Sequence, residues 1–371
     1  MMRDDIVLVD LYSGGGGVSQ GFKMQGIPTA LAVDYWKPAL DVHTANHPGA
    51  KHIQAAIGSD DFDNERLMQE ITDAVGGRSY HINASTPCPD FSRASPLNIG
   101  DGGHERAMRG MSHINNYGNL LDMLEASENP PNSWSLENSP RVIPYLTENA
   151  VWNPHRRRWM DSLQSMRMPK VTAAQFGAPT HRGRAVIGEG FDLSSANLQR
   201  PKTSPMDFLP QLGEEERENR SQKEEVLAQL VQRGVIDPSV MRYLMTGAFI
   251  NDTGAVNVGM GGAPWTDEKK GYTWKHTRPA NQTIPGLMSS NPATHAYNRI
   301  LTPSEMGILQ GFPADYDWSP AEGEKYISGK STTDASTGII GNVFSPFVTN
   351  AMAGSILEHL NSPKHIQTRL F

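Results

Sequence analysis

Cys88 is the only cysteine among the 371 residues of the chain, and Pro87 and Pro89 flank it in "STPCPDFS" (85–92). One thiol can form no intrachain disulfide, no CxxC redox pair and no Cys-rich zinc site, so it is either a small apolar core residue or a nucleophile. The prolines favour the nucleophile. They fix their own φ and push the residues before them towards extended conformations, which suits a stiff loop presenting a side chain and suits a packed helix badly. The preceding "RSYHINAS" reads as a short strand, so Cys88 follows the carboxyl end of a strand, where open α/β sheets bind ligands.

A second group of residues suits cofactor binding. "IVLVDLYSGGGGVSQGF" (6–22) is a strand, a glycine turn and a helix start. The dinucleotide pattern GxGxxG fails here: counted from Gly14 and Gly16 its third place falls on Ser19, and from Gly15 and Gly17 on Gln20. NAD is therefore disfavoured, while the glycines still allow a close backbone approach by a cofactor lacking phosphates. Asp34 lies twenty residues after Gly14, at the end of "TALAVD", where a carboxylate can bind ribose hydroxyls. S-adenosylmethionine fits both facts.

Elements must hold these residues in place. Between residues 6 and 190, "IVLVDLY", "TALAVD", "YHINAS", "SWSLEN" and "RAVIG" are strand candidates that alternate with helix-like stretches. That alternation predicts an α/β fold with a parallel, Rossmann-like sheet covered by helices. From 191 to 297 the pattern breaks: one charged helix is expected over 214–234, followed by glycine-rich loops carrying Lys269, Lys270, Lys275 and Arg278 beside Trp265, Tyr272 and Trp274. A helical apolar period resumes at 345–360 and is expected to pack back on the first unit. Residues 1–190 then form a cofactor-binding domain, 191–297 a smaller irregular domain, and 298–371 a return segment completing the first.

A net charge of −7 excludes a generally sticky polycation but not a local basic face. Two basic runs could touch phosphate or simply be solvated: "NPHRRRWM" (153–160) and "PTHRGRAV" (179–186). No run of about 18 apolar residues is present, so no membrane span is expected. A cytoplasmic protein without a bound metal is the expectation.

Taken together, the motifs resemble those of the DNA cytosine-5 methyltransferases. "DLYSGGGGVSQGF" is similar to their first cofactor motif, "STPCPDFS" to their nucleophile loop, "SLENSPRVI" to their Glu-Asn strand and "QFGAPTHRGRAVIG" to their strand with two arginines. "NRILTPSEMGILQGFP" and "GNVFSPFVTNAMAGSI" resemble their last motifs. Six motifs stand in the family's order, leaving about 191–275 unmatched. Four positions depart from the pattern: Ser139 stands where Val is usual, Thr180 where Gln is usual, Asp34 is shorter than the common Glu, and Ala56 occupies the place of an acidic residue facing the adenine amino group.

The resemblance implies methylation of carbon 5 of a cytosine flipped out of duplex DNA, with S-adenosylmethionine as methyl donor. Cys88 would be the nucleophile towards carbon 6 and Glu137 the partner of ring N3. Of Arg182 and Arg184, one would bind the cytosine O2 or a phosphate and the other would buttress the Cys loop. Tyr12, Gly14, Gly16, Asp34, Tyr35 and Pro87 would surround the cofactor, with Leu120 and Asn342 closing the pocket. The 191–297 domain would choose the target sequence. The resemblance also admits a tRNA cytosine methyltransferase, which the long variable stretch disfavours, and a catalytically dead DNA-binding protein, which the joint presence of Cys88, Glu137, Arg182 and Arg184 disfavours. A monomer, partnered in some systems by a cognate restriction endonuclease, completes the expectation.

Overall fold

The computed structural model describes residues 6–59, 62–91, 101–201, 203, 207–211, 228–229, 232, 302–328 and 331–362, and between 248 and 285 the backbone of short strands. The first strand, β1 (Ile6–Leu11), is buried along its whole length. Its side chains alternate between two cores, as the two-residue period of a strand requires. Val7, Val9 and Leu11 enter one apolar cluster, Ile6 and Leu8 another.

Helix α1 (Gly17–Met24), β2 (Thr29–Asp34), α2 (Lys37–Asn46), β3 (Lys51–Gln54), α3 (Asn64–Val75) and β4 (Ser79–Ser85) follow in order. Then come α4 (Asp101–Glu125), β5 (Ser133–Asn138), α5 (Ile143–Thr147), α6 (Arg156–Ser165), β6 (Lys170–Thr172), β7 (Thr180–His181) and β8 (Gly183–Glu189). Seven of these strands form one sheet in the order β3-β2-β1-β4-β5-β8-β6. The five strands read from the sequence are all present, while the short polar β3 and β6 carry too little apolar pattern to be read. One expectation changes: β8 runs antiparallel to both β5 and β6. Only residues 173–182 separate β6 from β8, too few for the crossover that a parallel pair requires.

The strand order reverses between β1 and β4, which opens a crevice at their carboxyl ends. After the first unit come α7 (Pro303–Gln310), α8 (Ala335–Asn342) and α9 (Pro346–Leu360). Phe344, Val348, Met352 and Ile356 share a core with Ile6, Leu8, Val18 and Phe22. Met306, Phe312, Tyr316, Trp318 and Ile339 build a further core with Ala39 and Val42 of α2. Leu193 is buried with α9, Leu209 with α2, and the Asp192 amide donates to Ser355 Oγ at 2.8 Å.

A separate antiparallel sheet holds Ala248–Ile250, Val256–Met260, Ala263–Asp267 and Tyr272–Trp274. Trp265 pairs with Trp274 in its register. Of the expected helix over 214–234 only residues 228, 229 and 232 are described, all of them helical, and the cations Lys269, Lys270, Lys275 and Arg278 lie outside the described residues. The basic run 153–160 serves the fold. Arg158 pairs with Asp122 and Glu125 of α4, Arg156 Nε donates to the Thr147 carbonyl, and Arg157 pairs with Asp161.

Candidate active site

A cavity opens at the crevice, lined along one side by Tyr12, Ser13, Gly14, Gly15, Gly17 and Val18, and floored at the far end by Ser85, Thr86, Pro87, Cys88 and Glu137. Tyr12 directly follows β1 with φ 55, and among the described residues no other non-glycine has a positive φ. Such a backbone is costly for a bulky side chain and persists only where its surroundings hold it. Here the Tyr12 hydroxyl donates to the Ile57 carbonyl at 3.3 Å and its ring meets His113 edge-on. Gly14, at φ 53, has nothing within 4 Å of a would-be Cβ and leaves the cavity open, whereas a Cβ on Gly15 would lie 2.3 Å from Ile339 and one on Gly17 2.1 Å from the Phe344 carbonyl oxygen.

Asp34 closes the loop from the next strand. Its Oδ2 accepts from the Gly14 amide and its Oδ1 from the Trp36 amide, both at 2.8 Å. Burial raises its pKa and these amides oppose the rise. Each carboxylate oxygen keeps a lone pair for a diol hydroxyl. Tyr35, Trp36, Tyr326 and Asn342 form the rim, with the Trp36 and Tyr326 rings 5.1 Å apart and the Asn342 amide donating to the Tyr326 hydroxyl at 3.1 Å.

The Cys88 loop is held at both ends by the Glu-Asn strand. Asn138 Nδ2 donates to the Thr86 hydroxyl at 2.9 Å and to the Thr86 carbonyl at 3.2 Å. Beyond the thiol, the Phe91 amide donates to the Cys88 carbonyl and Ser139 Oγ donates to the Phe91 carbonyl at 3.1 Å. Asp90 pairs with Arg109 of α4, and Phe91 lies against Gly110, where a Cβ would come within 2.4 Å of its ring. Ser139, a departure from the family pattern, thus ties down the loop.

Glu137 is 4% exposed. Arg184 Nε lies 2.5 Å from its Oε1, and Ser85 hydrogen-bonds to it. Burial raises the Glu137 pKa, with Arg184 and then Arg182 opposing, so the carboxyl is biased towards the proton-carrying form. Arg182, 7% exposed, feels both Cys88 and Glu137, while burial and then Arg184 bring it down to about 9. Arg184 is therefore the buttress of Glu137, and Arg182 is the cation beside the thiol.

Of the residues read from the sequence, Tyr12, Gly14, Asp34, Tyr35, Pro87, Cys88, Glu137 and Asn342 line the cavity, and the two arginines stand directly behind it. Two do not line it. Gly16 points the other way, with a would-be Cβ 2.6 Å from the Tyr316 hydroxyl and 3.1 Å from His47 Nε2. Leu120 is fully buried with Tyr117, Leu121 and Leu124 beneath the sheet, because the apolar face of α4 on which it lies is committed to the core. Ala56 is exposed and also absent from the lining. Ser85, Trp36, Tyr326 and Phe344 were missed. Phe344 lay inside a quoted motif, whereas Tyr326 had no local signal.

The cavity suits S-adenosylmethionine by its chemistry: a glycine wall for close approach, a carboxylate for a diol, aromatic rims for a purine, and the thiol and acid at the end where a methyl group must be delivered. Fold and site define an S-adenosylmethionine-dependent methyltransferase. The chain belongs to the C-5 cytosine-specific DNA methylase family, whose profile matches residues 6–358. Type II methyltransferase M1.HphI of Haemophilus parahaemolyticus is 22% identical over 360 residues, covering 95% of this chain and 87% of its own. M.HgiDI of Herpetosiphon aurantiacus is 32% identical over 98 residues, so that 25% of this chain spans only 28% of that relative's length. Among solved structures, an E. coli prophage protein described as a DNA modification methyltransferase shares the fold, with TM-score 0.55 at 19% identity over 96% of this chain and 100% of that one.

Proposed function

We propose that the protein methylates carbon 5 of a cytosine within a specific sequence of duplex DNA. The observation that carries this reading is the placement of Cys88 and Glu137 at one end of a cavity whose other end holds Asp34 and the glycine loop. When bound, S-adenosylmethionine supplies an electrophilic methyl group. Carbon 5 of cytosine is too weak a nucleophile to take it unaided. The Cys88 thiolate forms a bond to carbon 6 while Glu137 gives its proton to N3, and the ring becomes an enamine nucleophilic at carbon 5. After methylation, water takes the carbon 5 proton, the freed electron pair expels the Cys88 thiolate from carbon 6, and N3 returns its proton to Glu137. Arg184 holds Glu137 in line, and Arg182 offsets the negative charge that builds beside the thiol.

A base inside a duplex cannot reach this cavity, so the target is extruded, at a cost of a few kcal/mol. The stretch after Leu209 and before Thr302 selects the sequence, since Leu193 and Leu209 are occupied in packing on the catalytic body. The naming of relatives as Type II methyltransferases supports a role beside a cognate restriction endonuclease. The test is a duplex with 5-fluorocytosine at the target: fluorine cannot leave as the proton does, so a covalent adduct accumulates with S-adenosylmethionine. Cys88→Ala should abolish the adduct. Methyl transfer persisting in Cys88→Ala would overturn the mechanism, and preferential trapping of RNA would replace the substrate.

A further inference from the structure

The glycine loop has a second face, away from the cavity, that rests on buried polar side chains. Gly16 sits over His43, His47 and Tyr316, and the Tyr316 hydroxyl donates to the Gly15 carbonyl at 2.6 Å. Directly below lies Asp10, wholly buried in β1. Ser19 Oγ donates to Asp10 Oδ2 at 2.9 Å and Asn83 Nδ2 donates to Asp10 Oδ1 at 3.0 Å.

These two contacts set the direction of everything behind them. Ser19 has one proton and gives it to Asp10, so His43 Nε2, 2.9 Å from Ser19 Oγ, must be the donor there. His43, kept neutral by burial, then accepts at Nδ1 from His52 Nε2 at 2.8 Å. On the other side Ser135 Oγ donates to Asn83 Oδ1, His81 Nε2 donates to Ser135 Oγ and Ser133 donates to His81 Nδ1. Two unidirectional chains thus converge on one carboxylate, and the first ends at His52, which is only partly buried.

We propose that Asp10, Ser19 and His43 are positioning residues of the cofactor loop, and that the line His52–His43–Ser19 passes a proton between solvent and Asp10. The balance is closed. A proton arrives at His52 Nδ1; the His52 Nε2 proton moves to His43 Nδ1, the His43 Nε2 proton to Ser19 Oγ, and the Ser19 proton to Asp10. Asp10 becomes neutral, every link reverses its donor, and both histidines end neutral in the other tautomer.

The proposal rests on the reading of the cavity as an S-adenosylmethionine site. A sulfonium cation above the loop and a carboxylate below it stabilise each other, and such coupling is reciprocal. The other charged or titratable groups facing this network are Asp34 of β2, His47 of α2, His52 of β3, Lys23 of α1 and Tyr316 after α7. Asp10 is pushed up to about 7, chiefly by burial, so the relay operates in an accessible range.

Two measurements on the full chain decide it. Long-range proton–nitrogen NMR on histidine-labelled protein should find His43 protonated at Nε2 in mild alkali and at Nδ1 in mild acid, and in Ser19→Ala the switch should vanish. His43 held at Nε2 across about pH 5.5 to 9 would overturn the relay. By calorimetry, affinity for S-adenosylmethionine should fall roughly fivefold from about pH 8.5 to about pH 6, the scale on which charge-assisted and neutral hydrogen bonds differ. S-adenosylhomocysteine, without the sulfonium, and the Asp10→Asn variant should each change by less than about twofold. An undiminished pH dependence in Asp10→Asn would assign the effect to Asp34 and overturn the positioning role. If the wild-type protein binds neither ligand, the cavity reading and the positioning role fall together, while the tautomer titration still decides the relay.

Discussion

Ser139 and Glu137 stand two residues apart, and the proposed mechanism divides the work of the site between them, geometry to the first and proton transfer to the second. Ser139 Oγ donates to the Phe91 carbonyl in a buried setting, so Ser139→Val leaves that carbonyl without its donor. A cost of about 1 kcal/mol placed on the loop should slow adduct formation roughly fivefold with DNA affinity unchanged, and Ser139→Thr should restore the rate. Rapid-quench measurement against a binding isotherm separates the two quantities. Glu137→Gln keeps the shape and removes the acid, so trapping should slow by about 10² to 10⁴. The sign of the pH effect follows from the raised pKa of Glu137: its proton-carrying form is lost as pH rises through that value. Single-turnover rates should therefore fall on the alkaline side, and Glu137→Gln should lack that limb.

At the scale of elements, α1 must lie close enough to α9 for the glycine loop to meet Phe344. Thr349 Oγ1 donates to the Gly17 carbonyl at 3.0 Å, and a Cβ on Gly21 would lie 1.9 Å from Thr349 Oγ1 and 2.6 Å from the Asn350 backbone nitrogen. Because backbone atoms cannot swing aside, Gly21→Ala forces the helices apart, at a cost of about 1–3 kcal/mol. Thermal unfolding should show a midpoint lower by several degrees, with S-adenosylmethionine affinity reduced through the displaced loop. Gly49→Ala is the control, since nothing lies within 4 Å of its would-be Cβ. An unchanged midpoint in Gly21→Ala would mean that the helix contact is not close-packed.

At the scale of the whole molecule, the proposed function divides the chain into a catalytic body and a stretch that chooses the target. Exchanging the chain between Leu209 and Thr302 for the matching stretch of a relative should move the methylated site, as read by bisulfite sequencing. An active chimera that keeps the original site would refute the assignment. Stability carries a second signature. Asp10 has a folded pKa of about 7 against an ordinary 3.8, so the fold favours its protonated form. That contribution is complete below about pH 4 and is lost as pH rises to about 7, on the order of 4 kcal/mol. Denaturant unfolding across this window should therefore be flatter in Asp10→Asn than in the wild type.

The sequence by itself determined the chemistry and its order along the chain. A thiol locked between prolines, a glycine turn after a buried strand and a carboxylate ending the next strand are local patterns, because backbone stiffness and strand period act over a few residues. Five sheet strands, the glycine turn, Asp34 and Cys88 were legible for that reason, whereas Tyr12, Tyr35, Glu137 and Asn342 were named only by the resemblance. Tertiary structure alone decided which face of each element meets the cavity. Gly16 and Leu120 belong to recognisable motifs, yet one faces the His43–Tyr316 floor and the other the core under the sheet. Arg182 and Arg184 were indistinguishable as neighbours on a strand, and only the packing of β8 against β5 gives Arg184 to Glu137. Tyr316 reaches the loop and Tyr326 the cavity from some three hundred residues away, and the convergence of two hydrogen-bond chains on Asp10 joins residues of β1, α1, α2, β3, β4 and β5. Such contacts have no local signature, because each partner's pattern is set by its own element and their meeting is set by how the elements pack.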